Sequence, residues 1–236
     1  MSRPPASETA SPEPLAHIER KHRLYAQIGL LGRALGQQTR LEIIEILAQC
    51  PRTVEMLSAI LQTDIKSVSA HLKVLRKAGL VCVERCGNFR RYSVADARVL
   101  ELAVLMSRTA RETAEAAEET GVNDDAALDV ETALQYAGKG ELMLIDVRPA
   151  EEFEAAHLPH ARSFPLETLE AHLEAIPGTT ACAAYCRGSC CFLAQKAAEI
   201  FKRHGRRLLI VREGVLDWLG EGRAGLLVED GAKSPS

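Results

Sequence analysis

The stretch "TDIKSVSAHLKVLRKAGLVCVERCGNFRRYSV", Thr63–Val94, decides how the first half of this chain folds. Its apolar residues Ile65, Val68, Leu72 and Leu75 recur at three- and four-residue steps, which predicts one buried helical stripe. The opposite face carries Lys66, Ser69, Ala70, Lys73, Arg76 and Lys77, and Gly79 is placed as a C-cap. Two alternating stretches then flank Gly87-Asn88, a β-hairpin signal. Upstream, the pattern predicts two helices over 15–49, the second bounded by Thr39 and Pro51 with Leu41, Ile44 and Leu47 inward. A third helix opens at Thr53 as N-cap and turns Met56, Leu57 and Ile60 inward. Downstream, 97–119 reads as a further helix, with Leu102, Leu105, Met106 and Thr109 as a stripe for a partner.

Helices, turn, helix and hairpin in that order make a DNA-reading arrangement. The small and polar residues of the helix at 65–77 suit a major groove, and Lys66 and Lys73 stand beside them for phosphates. Arg90 and Arg91 near the hairpin tip are placed to reach backbone or minor groove. Such charges alone describe any solvated face. The charge balance favours a polyanion: Leu15–Arg98 holds 14 Lys and Arg against 7 Asp and Glu, while the remainder holds 15 against 25. The net charge of −3 hides this split.

"TRLEIIEILAQCPRTVEMLSAILQTDIKSVSAHLKVLRKAGLVCVERCGNFRRYSV" resembles the ArsR-type winged-helix repressors, over roughly residues 25–100. The resemblance implies a homodimer joined by its first and last helices, and operator binding relieved by an inducer. It also places Ser67, Ser69 and His71 in the reading segment, with half-sites roughly 34–36 Å apart or a multiple of that. Metal-sensing members often carry an "ELCVCD"-like cysteine pair; here the stretch is "VEMLSAI", without cysteine. Cys82 and Cys86 lie on one face of a predicted strand, roughly 13 Å apart at about 3.3 Å per residue. That separation is too long for one shared ion without a bend or a second chain. Cys50 reads as structural.

The second half reads differently. "ELMLIDV", "TACAAYC" and "RRLLIVR" are continuous apolar runs of the kind buried on both faces, and helical patterns alternate with them. A short helix is expected at Val130–Ala137. The expectation is two domains: a mainly α winged helix-turn-helix at 15–120, then an α/β domain with a parallel sheet at 128–232. "TGVNDDAAL" (Thr120–Leu128) separates them, residues 1–14 read as a disordered tail, and the helix at 97–119 is expected to be the only rigid link. The N-terminus has no signal-peptide core and no apolar run reaches membrane length, so a cytoplasmic location is expected. Seven cysteines there point to reactive or metal-binding thiols more than to disulfides.

Three of those cysteines crowd into "YCRGSCC", Tyr185–Cys191. Cys186 ends an expected strand and a helix follows. Backbone N–H groups and the helix N-terminus would stabilise a thiolate there and lower the Cys186 pKa. Gly188 lets the backbone curl and Arg187 adds a cation at the rim. Either Cys190 or Cys191 is placed to attack a persulfide on Cys186, or the three thiols to hold a thiophilic ion.

This half resembles the rhodanese domain, a sulfurtransferase module, over roughly residues 128–225. The resemblance rests on "LIDVRPAEEFEAAHLPHARSFPL", "YCRGSCC" and "VREGVLDWLGEG". It implies that Cys186, within the active loop Cys186, Arg187, Gly188, Ser189, Cys190 and Cys191, accepts a sulfane sulfur and passes it on. Ala156 and His160 stand where glycines are usual, and Cys191 where serine or arginine is common. The C-x5-R spacing of phosphatases is absent, and with one loop cation thiosulfate is expected to be a poor substrate. Asp146 and Arg148 read as a brace for the loop after the first strand, Glu152 and His157 as structural, and Cys182 as core. The expected function is a DNA-binding repressor responsive to reactive sulfur or redox state. The alternatives are a metalloid-sensing repressor or primarily a sulfurtransferase. Expected partners are double-stranded operator DNA, a second copy, and a small sulfur species or thiol acceptor, with no cofactor and no membrane.

Overall fold

A computed structural model describes residues 13–117, 127–178 and 180–228. Residues 1–12 of the tail expected at 1–14, and residues 120–126 of the connection expected at Thr120–Leu128, lie outside these residues, while Glu13 and Pro14, expected in the tail, open the first helix.

The first half is built from α1 (Glu13–Leu35), α2 (Gln38–Gln49), α3 (Val54–Leu61) and α4 (Ile65–Lys77), then the strands β1 (Val81–Cys86) and β2 (Phe89–Val94) and the helix α5 (Ala97–Ala117). α2 begins earlier than Thr39, because the Gln37 side chain accepts from Arg40 N at 2.9 Å and caps it. Arg40 in turn donates to the last-turn carbonyls of Ala34 and Arg33 at the end of α1, fixing the corner between the two helices. Thr53 caps α3 as expected, and Asp64 caps α4 through Ser67 N at 3.0 Å. Val68, Leu72 and Leu75 are buried, but Ile65, on the same face in the first turn of α4, is half exposed at the end of the stripe. Gly79 (φ +74°) and Gly87 (φ +62°) occupy the left-handed region that ends the helix and turns the hairpin. The hairpin pairs antiparallel from Val81–Val94 to Cys86–Phe89. Arg52 adds a single rung to it, exchanging backbone hydrogen bonds with Tyr92 at 3.0 and 2.7 Å. On α5 the buried residues are Val99, Leu100, Ala103 and Val104; Leu102 and Met106 pack half-buried and Leu105 and Thr109 face outward.

The second half is a five-stranded parallel sheet in the order β3-β7-β6-β4-β5. Its strands are β3 (Ala127–Leu128), β4 (Leu142–Asp146), β5 (Arg162–Ser163), β6 (Ala181–Tyr185) and β7 (Leu209–Val211). The three expected apolar runs form β4, β6 and β7; the two-residue edge strands β3 and β5 were too short to show any period. Helices α6 (Val130–Gly138), α7 (Ala150–Ala155), α8 (Leu166–Leu169), α9 (Leu193–Arg203) and α10 (Val215–Gly220) surround it. One apolar cluster holds Ile145, Ala184 and Phe201 and the other Leu144, Ala183 and Tyr185, so neighbouring strand residues face opposite layers. Among the described residues no helix is long and apolar enough to cross a membrane.

The two halves are packed together. A third cluster joins Leu100 and Val104 of α5 to Leu216 of α10. Gly220 allows this approach: a Cβ there would lie 2.6 Å from Val104 Cγ2 and 3.1 Å from Leu100 O. Arg108 Nη2 meets Glu221 Oε1 at 2.8 Å along the same seam. The expectation that the helix at 97–119 forms the only rigid link is therefore corrected. Side chains cross the seam directly, an outcome that no local periodicity encodes.

Candidate functional site

On the DNA side, Lys66, Ser69 and Lys73 lie exposed on α4, opposite its buried stripe, and His71 is half exposed. Ser67 is partly committed elsewhere: its hydroxyl donates to Asp64 Oδ2 at 2.6 Å within the cap. Arg90 and Arg91 are both exposed on β2 but point to opposite faces. Arg90 stands across from Arg85 and Arg91 across from Glu84. The cationic edge of the wing is thus Arg85 with Arg90, beside an exposed Phe89. Arg85 was missed in the sequence, although the two-residue turn at Gly87-Asn88 sets the register that pairs it with Arg90.

On the α/β side, β6 ends at Tyr185 and the loop 186–192 runs into α9. Cys186 and Cys191 are buried together, whereas Cys190 is exposed. The three thiols are therefore not gathered as one ion site, and among the described residues no three His, Cys, Asp or Glu side chains are. Cys186 Sγ donates to the backbone carbonyls of Cys191 at 3.2 Å and Gly188 at 3.8 Å, and the Cys186 and Cys191 side chains interact electrostatically as a hydrogen-bonded pair. That hydrogen bond holds the Cys191 pKa down to about 6, with help from the backbone N–H groups of Leu193 and Arg187 and from the Arg187 charge. The same bond, with burial, pushes the Cys186 thiol well up. The expected lowering of the Cys186 pKa is therefore corrected: in this pair the Cys186 thiol is pushed up and the Cys191 thiol is pulled down. Cys186 is the deeper of the two and gives its proton as donor.

Gly188 stands where a side chain would crowd the loop, as expected. A Cβ there would lie 3.3 Å from Leu216 Cβ and 3.4 Å from Asp217 Oδ2. Gly214 is tighter still, since a Cβ would collide with Cys186 O and stand 2.6 Å from Gly188 N. Asp217 locks the arrangement by accepting from Ser189 N at 3.0 Å and from Gly214 N at 2.9 Å. Leu216 N adds a bond to Arg187 O at 2.8 Å. The loop and the start of α10 are in effect one piece.

Arg187 is not a free cation at the rim. Its guanidinium is buried against Glu152, with Nε to Oε2 at 2.9 Å and Nη2 to Oε1 at 2.8 Å. Glu152 Oε1 also faces Arg52 Nη2 of the winged-helix half at 3.4 Å. Glu152, read from sequence as structural, is the junction between the loop and the wing, because Arg52 carries the backbone rung to Tyr92. Asp146 and Arg148 brace the first loop as expected, with Arg148 Nη2 also reaching Ala156 O at 2.8 Å. Arg148 Nη1 crosses the seam as well, to Gln49 Oε1 at 2.7 Å. His160, where a glycine is usual, keeps the left-handed backbone (φ +65°) that a glycine would adopt freely.

A groove of about 1020 Å³ runs along the seam. Arg187, Ser189, Cys190 and Cys191 line one wall, and Leu41, Glu45 and Ile46 of α2 and Met106 of α5 line the other. Glu45, also missed in the sequence because it sits among ordinary α2 residues, has a buried Oε1 without a hydrogen-bond partner. Burial, and then the negative charge at Cys191, raise its pKa to about 8.

The "Bacterial regulatory protein, arsR family" model matches residues 37–83, and the "Rhodanese-like domain" model matches residues 129–221. The HTH-type transcriptional regulator Rv0324 of Mycobacterium tuberculosis is 35% identical over 219 residues, which cover 91% of this chain and 95% of that protein. A second regulator from that species, Rv0081, is 37% identical over 71 residues, 30% of this chain and 62% of its own. Among solved structures, the homodimeric winged helix-turn-helix DNA-binding domain of Mb0332 from Mycobacterium bovis is 31% identical. It covers 45% of this chain and 91% of its own, with a TM-score of 0.38.

Proposed function

This chain belongs to the ArsR-type winged-helix transcriptional regulators fused to a rhodanese-like domain, and on that premise we propose that it releases or engages an operator according to the sulfur state of Cys186. The observation that carries the reading is the shared carboxylate: Glu152 holds Arg187 of the cysteine loop and Arg52 beneath the wing at once. A change in the loop that moves Arg187 alters the partner of Arg52, whose backbone is a rung of the wing.

The chemistry follows from the thiol pair. Cys186 attacks the outer sulfur of a donor R–S–SH; the new S–S bond forms, the donor's S–S bond breaks, and RS⁻ leaves with the bonding pair. The Cys191 thiolate takes the proton of Cys186. Cys191, deprotonated again, then attacks the sulfur of Cys186 within the persulfide, expels HS⁻ and leaves a disulfide. The contact between Cys186 and Cys191 supports Cys191, rather than the exposed Cys190, as the resolving thiol.

On the DNA side, Lys66, Ser69, His71 and Lys73 are the reading segment, with Ser67 at its start, and Arg90 with Arg91 serve the wing. A homodimer is part of the reading. Ile18, Tyr25 and Ile28 are exposed at helical spacing on α1, and Leu105 is exposed on α5. The proposed domain limits remain 15–120 and 128–232, and the cytoplasm is the proposed compartment.

The test is operator affinity at fixed salt, measured before and after a sulfane-sulfur donor, with mass spectrometry of the cysteines. The expected result is an affinity change that accompanies sulfur on Cys186 and is lost in Cys186→Ser. Sulfur on Cys186 with unchanged affinity would overturn the reading and leave a sulfurtransferase that shares its chain with a DNA-binding domain.

A further inference from the structure

The groove at the seam has a property that sulfur transfer alone does not call for: its acid comes from the DNA-binding half. Glu45 sits on α2, yet it lines the same groove as Cys191 and Arg187, with Cys186 buried directly behind that wall, its Sγ 3.2 Å from Cys191 O. Its Oε1 is buried and has no partner, which is costly for a carboxyl group unless a ligand satisfies it. The groups that bear on Glu45 are Cys191, Arg187, Glu152 and Glu42. Three of these are acidic, and the one cation, Arg187, is already held by Glu152.

The same surroundings restrict the donor. With Glu42 and the acidic Cys191 thiol in its walls, Arg187 already held by Glu152 and Lys196 its other cation, the groove is a poor place for an inorganic dianion. Leu41, Ile46, Met106 and Phe192 offer apolar surface, and about 1020 Å³ leaves room for an organic body beyond the reacting sulfurs.

We propose that this groove is a composite donor site for a low-charge organic persulfide, in which Glu45 of the winged-helix domain protonates the departing thiol. The inference rests on the sulfur-accepting reading above and names its substrate class and its acid. The step balances: Cys186 takes the sulfane sulfur, its proton passes to the Cys191 thiolate, and RS⁻ takes a proton from the Glu45 carboxyl to leave as RSH. Glu45 is left as the carboxylate. Its neutral resting form, favoured by burial, is the form that can donate.

The experiment uses the full-length reduced protein and follows the rate of persulfide formation by quenched mass spectrometry. The probes are benzyl persulfide, aryl persulfide and thiosulfate, each with wild type, Glu45→Gln and Glu45→Asp. Benzyl persulfide is expected to load wild type at least about ten-fold faster than thiosulfate. Glu45→Gln should slow benzyl persulfide by about 10²-fold, the usual contribution of a general acid. It should slow the aryl compound much less, because an aryl thiolate leaves without a proton. Glu45→Asp should recover part of the rate. A merely structural Glu45 would slow both persulfides alike, and that result, equal rates in Glu45→Gln, or a preference for thiosulfate would overturn the proposal. Operator affinity is read on the same loaded samples. Loading that leaves affinity unchanged defeats the regulatory reading without touching the role of Glu45.

Discussion

Arg187 Nη2 lies 2.8 Å from Glu152 Oε1, and that same oxygen stands 3.4 Å from Arg52 Nη2 on the other side of the seam. All three side chains are buried. One carboxylate facing two guanidinium groups from different halves cannot lose its charge quietly. Glu152→Gln leaves both arginines underpaired, and breaking such a pair costs about 3–5 kcal/mol. The expected outcome is a clear fall in the urea midpoint of unfolding. Arg52→Met is the sharper test of coupling. It removes the cation but keeps a chain that can fill the space, so persulfide loading should proceed while the change in operator affinity disappears. Loading and affinity response that both survive would mean the shared carboxylate only glues the halves.

The thiol pair makes a separate prediction. The first cause of the low Cys191 pKa is the hydrogen bond from Cys186. Cys186→Ala deletes that donor, so the midpoint of thiolate absorbance assigned to Cys191 should rise from about 6 toward the ordinary value of about 8.5. In Cys191→Ala, Cys186 loses the thiolate that raised it, and its midpoint should come down from its elevated position. A titration of the two single variants reads both directions.

Glu45 gives the stability of the seam a pH dependence of known sign. Its pKa is raised on folding, from 4.5 to about 8. Between these values the folded state holds a proton that the unfolded state has lost, so stability falls as pH rises. The loss is absent below about 4.5 and complete above about 8. Cys191 acts oppositely: its pKa is lowered from 9.0 to about 6, so its contribution is fully present above 9 and lost as pH falls toward 6. Glu45→Gln removes only the first effect. Its stability relative to wild type should therefore increase steadily from pH 5 to pH 8, as measured by urea unfolding in a buffer series.

These positions also mark where the sequence stops being readable. The helices, the hairpin at Gly87-Asn88 and the three main strands follow from periodicity and turn chemistry, which are local. The cysteine loop was legible because a strand, three thiols and a helix are adjacent in the chain. Glu45, Glu152 and Arg52 were not, because their meaning depends on which surface of one half meets the other. Arg52 and Glu152 are 100 residues apart in sequence and share a hydrogen bond. The direction of the Cys186 pKa shift was misjudged for a related reason. A helix N-terminus favours a thiolate, but which of two buried thiols carries it depends on their mutual hydrogen bond and depth.

Gly220 completes the path from loop to seam. Asp217 ties α10 to the cysteine loop, and Gly220 lets the other end of α10 lie against α5. A methyl group at Gly220 would press on Val104 Cγ2 at 2.6 Å and Leu100 O at 3.1 Å. Val104 belongs to the packed cluster with Leu100 and Leu216, so it has little room to give. Gly220→Ala should therefore cost about 1–3 kcal/mol, the usual range for overpacking, with the helix propensity of alanine offsetting a part. Adding Val104→Ala removes the closest atom and should recover some of the loss, although Leu100 O keeps the site tight. If α10 transmits the state of the loop, Gly220→Ala should also weaken the affinity response to persulfide while the cysteines still load, and the double variant should restore both stability and response together. Recovery of stability without the response would place the coupling in the Glu152 junction alone.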